Sequence, residues 1–344
     1  MKAYIFGAGA SVHAHYPLAS DLWPSTEEWV RKEPLASSYR SAIDDAHKFF
    51  DSPKPFEELL TELDDGILQT SDPFLKSLRD YTQLMVYYYL NSIRENPAEL
   101  YRLFAQHILT SQDAVITFNY DVSLDRELCR SGKWSVLTGY GFVIDQPTSN
   151  PSCKLLKLHG STNWIAPVFG GLRAGVISPD EPLLGRRPVI PTPEMIYLGT
   201  DQVDRQCGTV TGFAPSLIMP AAKKIFGPGE WKAFWDSLWH QAEKAIASAE
   251  EVHIIGYRLP EYDDRARELL LRKMRRETEV SICCRSGTND LVKLFRDSGF
   301  ANARQGADGT FEEWVKTNSG TSGPQIQSNF SAEAGLASGS TISA

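Results

Sequence analysis

Short apolar runs that stop at a glycine or a polar residue recur along this chain. Ala3-Tyr-Ile-Phe6 stops at Gly7, Asp113–Phe118 at Asn119, Lys154–Leu158 at His159, Glu251–Ile255 at Gly256 and Val280–Cys284 at Arg285. Runs of this kind, rich in β-formers and bounded by turn residues, predict buried strands. Between them, apolar residues fall at helical spacing. Phe56, Leu59, Leu60 and Leu63 make one stripe, and Leu78, Tyr81, Leu84, Met85 and Tyr88 a second. Leu100, Leu103, Phe104 and Ile108 make a third, and Trp231, Phe234, Trp235, Leu238, Trp239 and Ile246 a fourth. Such stripes predict amphipathic helices with a buried face. Pro24 and Pro34 are expected to break the early helices, a charged helix is expected over 262–276, and another through Leu291, Leu294 and Phe295. Strands alternating with helices predict an α/β fold built on an open, doubly wound parallel sheet.

Residues 20–110 are too long for one crossover helix and read as a helical module inserted into the α/β core. Residues 165–225 lack a regular pattern and are rich in proline and glycine, the mark of a lid or an irregular subdomain. The segment 318–344 is rich in Gly, Ser, Thr and Ala with one charge, Glu333, and reads as a disordered tail behind a single domain over 1–317.

Composition narrows the function classes. The chain has 344 residues and a net charge of −8, which argues against a generic nucleic-acid binder. Arg265, Arg267, Arg272, Lys273, Arg275 and Arg276 form either a local basic patch or a solvated helix face. The N-terminus runs directly into a strand pattern with no secretory leader, and no apolar run has the length of a membrane span. The five cysteines, Cys129, Cys153, Cys207, Cys283 and Cys284, are scattered with no Cys-x-x-Cys pair. This fits a reducing, cytoplasmic compartment and argues against a zinc ribbon, which needs two closely spaced ligand pairs.

The chemistry lies at the strand ends. Gly7-Ala-Gly-Ala-Ser11 follows the first strand, where a glycine turn either brings a phosphate to backbone amides or is a plain tight turn; Val12 stands where a dinucleotide fingerprint has its third glycine. Asn119 and Asp121 are suited either to capping a turn or to binding a ligand. His159 is either satisfied by backbone or titrates near neutral pH against a ligand beyond the sheet edge. His240, beside the tryptophan stripe, reads as structural.

In order and spacing, Gly7-Ala-Gly-Ala-Ser11, Thr117-Phe-Asn-Tyr-Asp121, Leu158-His-Gly-Ser-Thr-Asn-Trp164 and Gly256-Tyr-Arg-Leu-Pro260 resemble the sirtuin superfamily of NAD-consuming enzymes. Within it they look closest to the sirtuin-like domains of bacterial antiphage defence proteins. The resemblance implies a Rossmann-like, sirtuin-type sheet. It implies that Gly7, Ala8, Gly9 and Ser11 lie at the diphosphate and its ribose, and that Asn119 lies at the nicotinamide ribose. Asp121 would hold the carboxamide, His159 would be the catalytic base, and Gly256 and Tyr257 would touch the dinucleotide. Ser161, Thr162 and Asn163 would be loop residues beside the ribose, with Trp164 a packing anchor.

The chain also departs from the deacylase pattern. His15-Tyr-Pro-Leu-Ala-Ser20 replaces Gly-Ile-Pro-Asp-Phe-Arg, the zinc cysteines are missing, and Pro215-Ser-Leu-Ile-Met-Pro220 stands where the peptide-pairing segment belongs. The resulting expectation is an NAD+ hydrolase that takes NAD+ as substrate, needs no metal and releases nicotinamide and ADP-ribose. It would serve as an NAD-depleting effector of antiphage defence, controlled by a regulatory protein partner or by homo-oligomerisation. The alternatives are an NAD-dependent protein deacylase and a non-catalytic sensor of NAD or ADP-ribose.

Overall fold

The computed structural model describes residues 1–34, 36, 40–50, 54–93, 98–134, 140, 153–167, 196–197, 213–221, 229–306 and 309–320. The strands among them are β1 (Lys2–Phe6), β2 (Ala114–Thr117), β3 (Lys154–Lys157), β4 (Gly160–Pro167), β5 (Ile196–Tyr197), β6 (Phe213–Leu217), β7 (Glu251–Ile255), β8 (Glu279–Cys283) and β9 (Arg304–Gln305). The α-helices are α1 (Ala8–Ser11), α2 (Ala19–Lys32), α3 (Arg40–Phe50), α4 (Phe56–Thr70), α5 (Pro73–Ser92), α6 (Glu99–Leu103), α7 (Ser123–Arg130), α8 (Gly229–Ser248), α9 (Asp264–Glu268), α10 (Thr288–Asp297) and α11 (Phe311–Asn318).

Six strands form one parallel sheet in the order β3-β2-β1-β7-β8-β9. Counted within this sheet, the order is 3-2-1-4-5-6, the Rossmann arrangement, and the strand order reverses between β1 and β7. Strands β1, β2 and β7 are buried on both faces, which explains their unbroken apolar runs. Tyr4 and Phe6 pack edge-on against Phe104, in the π-turn Phe104–Ile108 that continues α6. Phe6 also meets Phe311, and His253 meets Trp314, so α11 covers the same face. Helix α8 packs on β3 and buries Trp235, Leu238, Trp239 and Ile246.

Helices α2 to α5 lie between β1 and β2 in sequence, with α5 packed on α2, α3 and α4. Pro24 does not break a helix: it sits inside α2. The helix loses one backbone hydrogen bond there and continues, because Leu22, Trp23, Thr26 and Val30 bury one face of it. The charged helix is shorter than its pattern suggests, with α9 passing into a π-turn over Leu269–Lys273.

A second, antiparallel sheet in the order β5-β4-β6 corrects two expectations. Ser161, Thr162 and Asn163 lie in a strand rather than a loop, and part of the segment 165–225 pairs regularly. Gly160, with φ of +86°, turns the chain out of the main sheet directly after His159. The partner strand β6 is remote in sequence, so no local pattern announces the pairing. Segments 168–195 and 198–212 and the tail from 321 onward lie outside the described residues. Among the described residues no helix is long and apolar enough to cross a membrane, and no group of three His, Cys, Asp or Glu side chains could hold a metal ion.

Candidate functional site

Strand register sets the site. Phe6 is aligned with Thr117 and with Ile255, and Thr117 with Lys157. Gly7 and Gly256, one residue on, and Asn119 and His159, two residues on, therefore emerge along one carboxyl edge, at the point where the strand order reverses. Ligands bind at such crevices in open α/β sheets.

The two glycine loops are packed on each other. Gly7 N–H donates to the Ile255 carbonyl and Gly9 N–H to the Gly256 carbonyl, both at 3.0 Å. A Cβ on Gly7 would lie 2.6 Å from the Tyr257 Cα, and one on Gly256 would lie 2.3 Å from the Ala10 amide nitrogen. Gly256 also has φ of +64°. Backbone approach between the loops thus requires both glycines before any ligand is considered. Ala8 lies in the one-turn helix α1 that begins between them.

Ser11, at the end of α1, is the hub of a buried network. Its hydroxyl donates to Asp121 Oδ2 at 2.7 Å, so the Tyr101 hydroxyl, 2.8 Å away, is the donor to Ser11. Asn119 Nδ2 donates both to Ser11 Oγ and to the Gly7 carbonyl at 2.9 Å. Both amide hydrogens of Asn119 are thereby used, and Oδ1 is the polar atom left for other work. Asp121 Oδ1 accepts from Ser123 N–H at 3.0 Å. The Asp121 carbonyl accepts from Lys157, whose ammonium pairs with Asp125 at 3.1 Å; both side chains are fully buried. Burial pushes the Asp125 carboxyl up, and Lys157 and Tyr140 pull it back. Burial also raises the Tyr101 phenol far above its ordinary value.

His159 follows β3 and is 7% exposed. Its Nε2 lies 3.1 Å from Asp263 Oδ2. Tyr257 donates its hydroxyl to the same oxygen at 2.9 Å, and Asp263 Oδ1 accepts from Ala266 N–H at the start of α9. The Tyr257 ring stacks on Phe118 at 4.1 Å, and Phe118 meets the His159 imidazole edge-on at 4.9 Å. The His159 carbonyl accepts from Ile218 N–H, and Tyr120 donates to the Ile218 carbonyl, which ties the second sheet to the site.

The residues singled out in the sequence thus fall into two linked groups: Gly7, Gly9, Ser11, Asn119 and Asp121 in one, His159, Gly256 and Tyr257 in the other. Sequence reasoning missed Asp263 and Tyr101. Asp263 precedes a short helix, where an aspartate reads as an N-cap, and it is one; nothing local signals its second contact. Tyr101 lies in an apolar helical stripe and reads as core.

Three buried cysteines fall away as nucleophiles. Burial pushes the Cys153 and Cys283 thiols up to about 12 and Cys284 up to about 11, so none is a thiolate near neutral pH. The basic cluster is engaged locally: Arg265 pairs with Asp236 and covers the Trp239 ring, Lys273 pairs with Glu243 and Glu268, and Arg275 donates to the Ala249 carbonyl.

No protein-family model matches this chain, and no curated protein matches it. Solved structures similar to it include a mutant Sir2 homologue in complex with ADP-ribose, at 12% identity and a TM-score of 0.43 over 92% of this chain and 90% of that one. A Sir2 bound to a propionylated peptide matches at 16% identity and a TM-score of 0.37, again over 92% and 90%. A Sir2 bound to an acetylated peptide matches at 14% identity and a TM-score of 0.36 over the same shares.

Proposed function

We propose that this chain binds NAD+ at the carboxyl edge of the main sheet and hydrolyses its nicotinamide glycosidic bond, releasing nicotinamide and ADP-ribose. The reading is carried by one observation: His159, Asn119 and the Gly7–Ser11 loop converge on a single sheet edge, at the reversal between β1 and β7.

In this reading Gly7, Ala8, Gly9 and Ser11 line the diphosphate and its ribose, and Gly256 and Tyr257 border the dinucleotide from the adjacent strand. Asp121 accepts from the carboxamide N–H and so aims the leaving group; each of its oxygens already accepts one hydrogen bond and keeps a second lone pair. Asn119 acts through Oδ1, accepting from a ribose hydroxyl or from the attacking water. The C1′–N bond breaks with its electron pair leaving on nicotinamide, which departs neutral. Positive charge develops on the ribose, and water bonds to C1′ while losing its proton to the His159 imidazole. The protein supplies orientation, electrostatic support and a base rather than a strong acid.

The absence of the deacylase motifs at His15–Ser20, together with the resemblance in the strand-end motifs, supports water as the nucleophile and an NAD-depleting role in bacterial antiphage defence. Such an activity in the cytoplasm requires restraint by a regulatory protein or by self-assembly. The test is to incubate the purified chain with NAD+, with and without an acetylated peptide, and follow nicotinamide, ADP-ribose and O-acetyl-ADP-ribose. Nicotinamide and ADP-ribose in equal amounts without peptide support the reading. Cleavage only with peptide makes the chain a deacylase, and binding without cleavage makes it a sensor.

A further inference from the structure

We infer that Asp263 is a positioning residue that fixes the orientation and protonation of His159, and that Tyr257 tunes it by sharing the same carboxylate oxygen. The inference rests on the reading of His159 as the base, and extends it to a residue outside the strand-end motifs. Asp263 is 1% exposed and meets His159 Nε2 at 3.1 Å, the Tyr257 hydroxyl at 2.9 Å and the Ala266 amide at 3.3 Å. Its backbone N–H donates to the Pro260 carbonyl. A buried carboxylate with this many donors is held as an anion at a fixed place. Nε2 is therefore the protonated nitrogen of the neutral imidazole, and Nδ1 carries the basic lone pair.

When water attacks C1′, its proton moves to that lone pair, and the imidazolium formed is stabilised by the anion on its other side. The proton stays on the imidazole; Asp263 is not protonated in the step. Two further ring contacts bear on His159: Phe118 meets it edge-on, and the Tyr120 ring lies tilted at a ring separation of 6.5 Å. Neither carries a formal charge at neutral pH, whereas Asp263 sets a carboxylate 3.1 Å from His159 Nε2.

The experiment uses the full chain with Asp263→Asn, Asp263→Glu and Tyr257→Phe. Nicotinamide release gives kcat and KM, and 15N-resolved NMR of the His159 imidazole, assigned with His159→Gln, gives its titration and tautomer. Asp263→Asn is expected to lower kcat by about 10²-fold or more with KM changed little, because the base is misoriented rather than the substrate site. It is also expected to move the His159 titration down by about one to three pH units. Asp263→Glu recovers part of both. Tyr257→Phe removes the competing donor and moves the titration upward; it carries the test if the Asp263 variants do not fold. An unmoved His159 titration in Asp263→Asn, or in Tyr257→Phe where that variant carries the test, overturns the inference. So does equal loss of activity in the Asn and Glu variants with the titration unchanged. If the unsubstituted chain does not cleave NAD+, the functional reading fails while the NMR titration still decides the role of Asp263.

Discussion

The Ser11 hydroxyl donates to Asp121 Oδ2 at 2.7 Å, and this contact joins the first strand-end loop to the second. Ser11 Oγ in turn accepts from Tyr101 and Asn119, so its hydroxyl uses all its hydrogen-bonding capacity inside the protein. Ser11→Ala leaves a carboxylate, a phenol and an amide without their partner in a buried place. It should destabilise the fold by about 2–4 kcal/mol, measured by urea denaturation. A loss below about 1 kcal/mol would show that water replaces the hydroxyl there.

His159 and Asn119 differ in what else they hold, so their alanine variants should differ too. Both are expected to lose NAD+ turnover. Asn119→Ala also frees the Gly7 carbonyl and Ser11, and should cost about 1–3 kcal/mol of stability. His159→Ala leaves Asp263 with the Tyr257 hydroxyl and the Ala266 amide, and the chain stays folded. Near-normal nicotinamide release by a folded His159→Ala protein would remove the histidine from the mechanism.

Gly256 and Gly309 both have positive φ but stand in different surroundings. Alanine at Gly256 places a methyl on the Ala10 amide, whereas nothing lies within 4 Å of that position at Gly309. Gly256→Ala should destabilise by about 2–4 kcal/mol from overlap and strain together, and Gly309→Ala by about 1 kcal/mol from strain alone. Equal effects in thermal melts would mean that the two glycine loops can separate freely.

Burial lowers His253 from its ordinary 6.5 to about 4, against the partial support of Glu251. The folded state holds this ring neutral more strongly than the unfolded chain does. Stability is therefore fully present above about pH 6.5 and falls as pH drops toward 4, by about 3 kcal/mol. His13 is shifted in the same direction, again by burial. His253→Phe, which keeps the stacking on Tyr4 at 5.2 Å, should flatten this part of the profile when urea midpoints are compared at pH 7 and pH 4.5.

Lys157 and Asp125 form an ion pair with both side chains fully buried. Removing one partner strands the other, so Lys157→Met should cost about 3–5 kcal/mol in denaturant unfolding. Adding Asp125→Leu should recover part of that loss. Because Lys157 also holds the Asp121 carbonyl, the single variant should weaken NAD+ turnover as well as the fold.

Much of the main sheet was legible from its apolar runs, because strands buried on both faces leave little room for polar residues. The two-residue edge strand β9 was not, since so short a pairing has no periodicity of its own. β4 and β6 escaped for a different reason: their pairing is antiparallel and non-local, and proline and glycine nearby suggested irregular chain. Pro24 misled because breaking power was read without the burial that holds α2 in place. At the site, residues that end strands stood out as polar or glycine interruptions of apolar runs. Tyr101 and Asp263 did not, because one lies in a helical stripe and the other already has a capping role.

The sequence by itself determined the five principal strands, their polar or glycine ends and the helical block between the first two, since these follow from side-chain burial at short range. Only the tertiary structure decided the strand order, and with it which ends share an edge. It also decided that Gly7 and Gly256 are needed by each other, that Ser11 saturates Asn119's amide hydrogens together with the Gly7 carbonyl, and that Asp263 faces His159. Those contacts join residues about a hundred or more positions apart, where local pattern carries no information and only the packed sheet brings the atoms within reach.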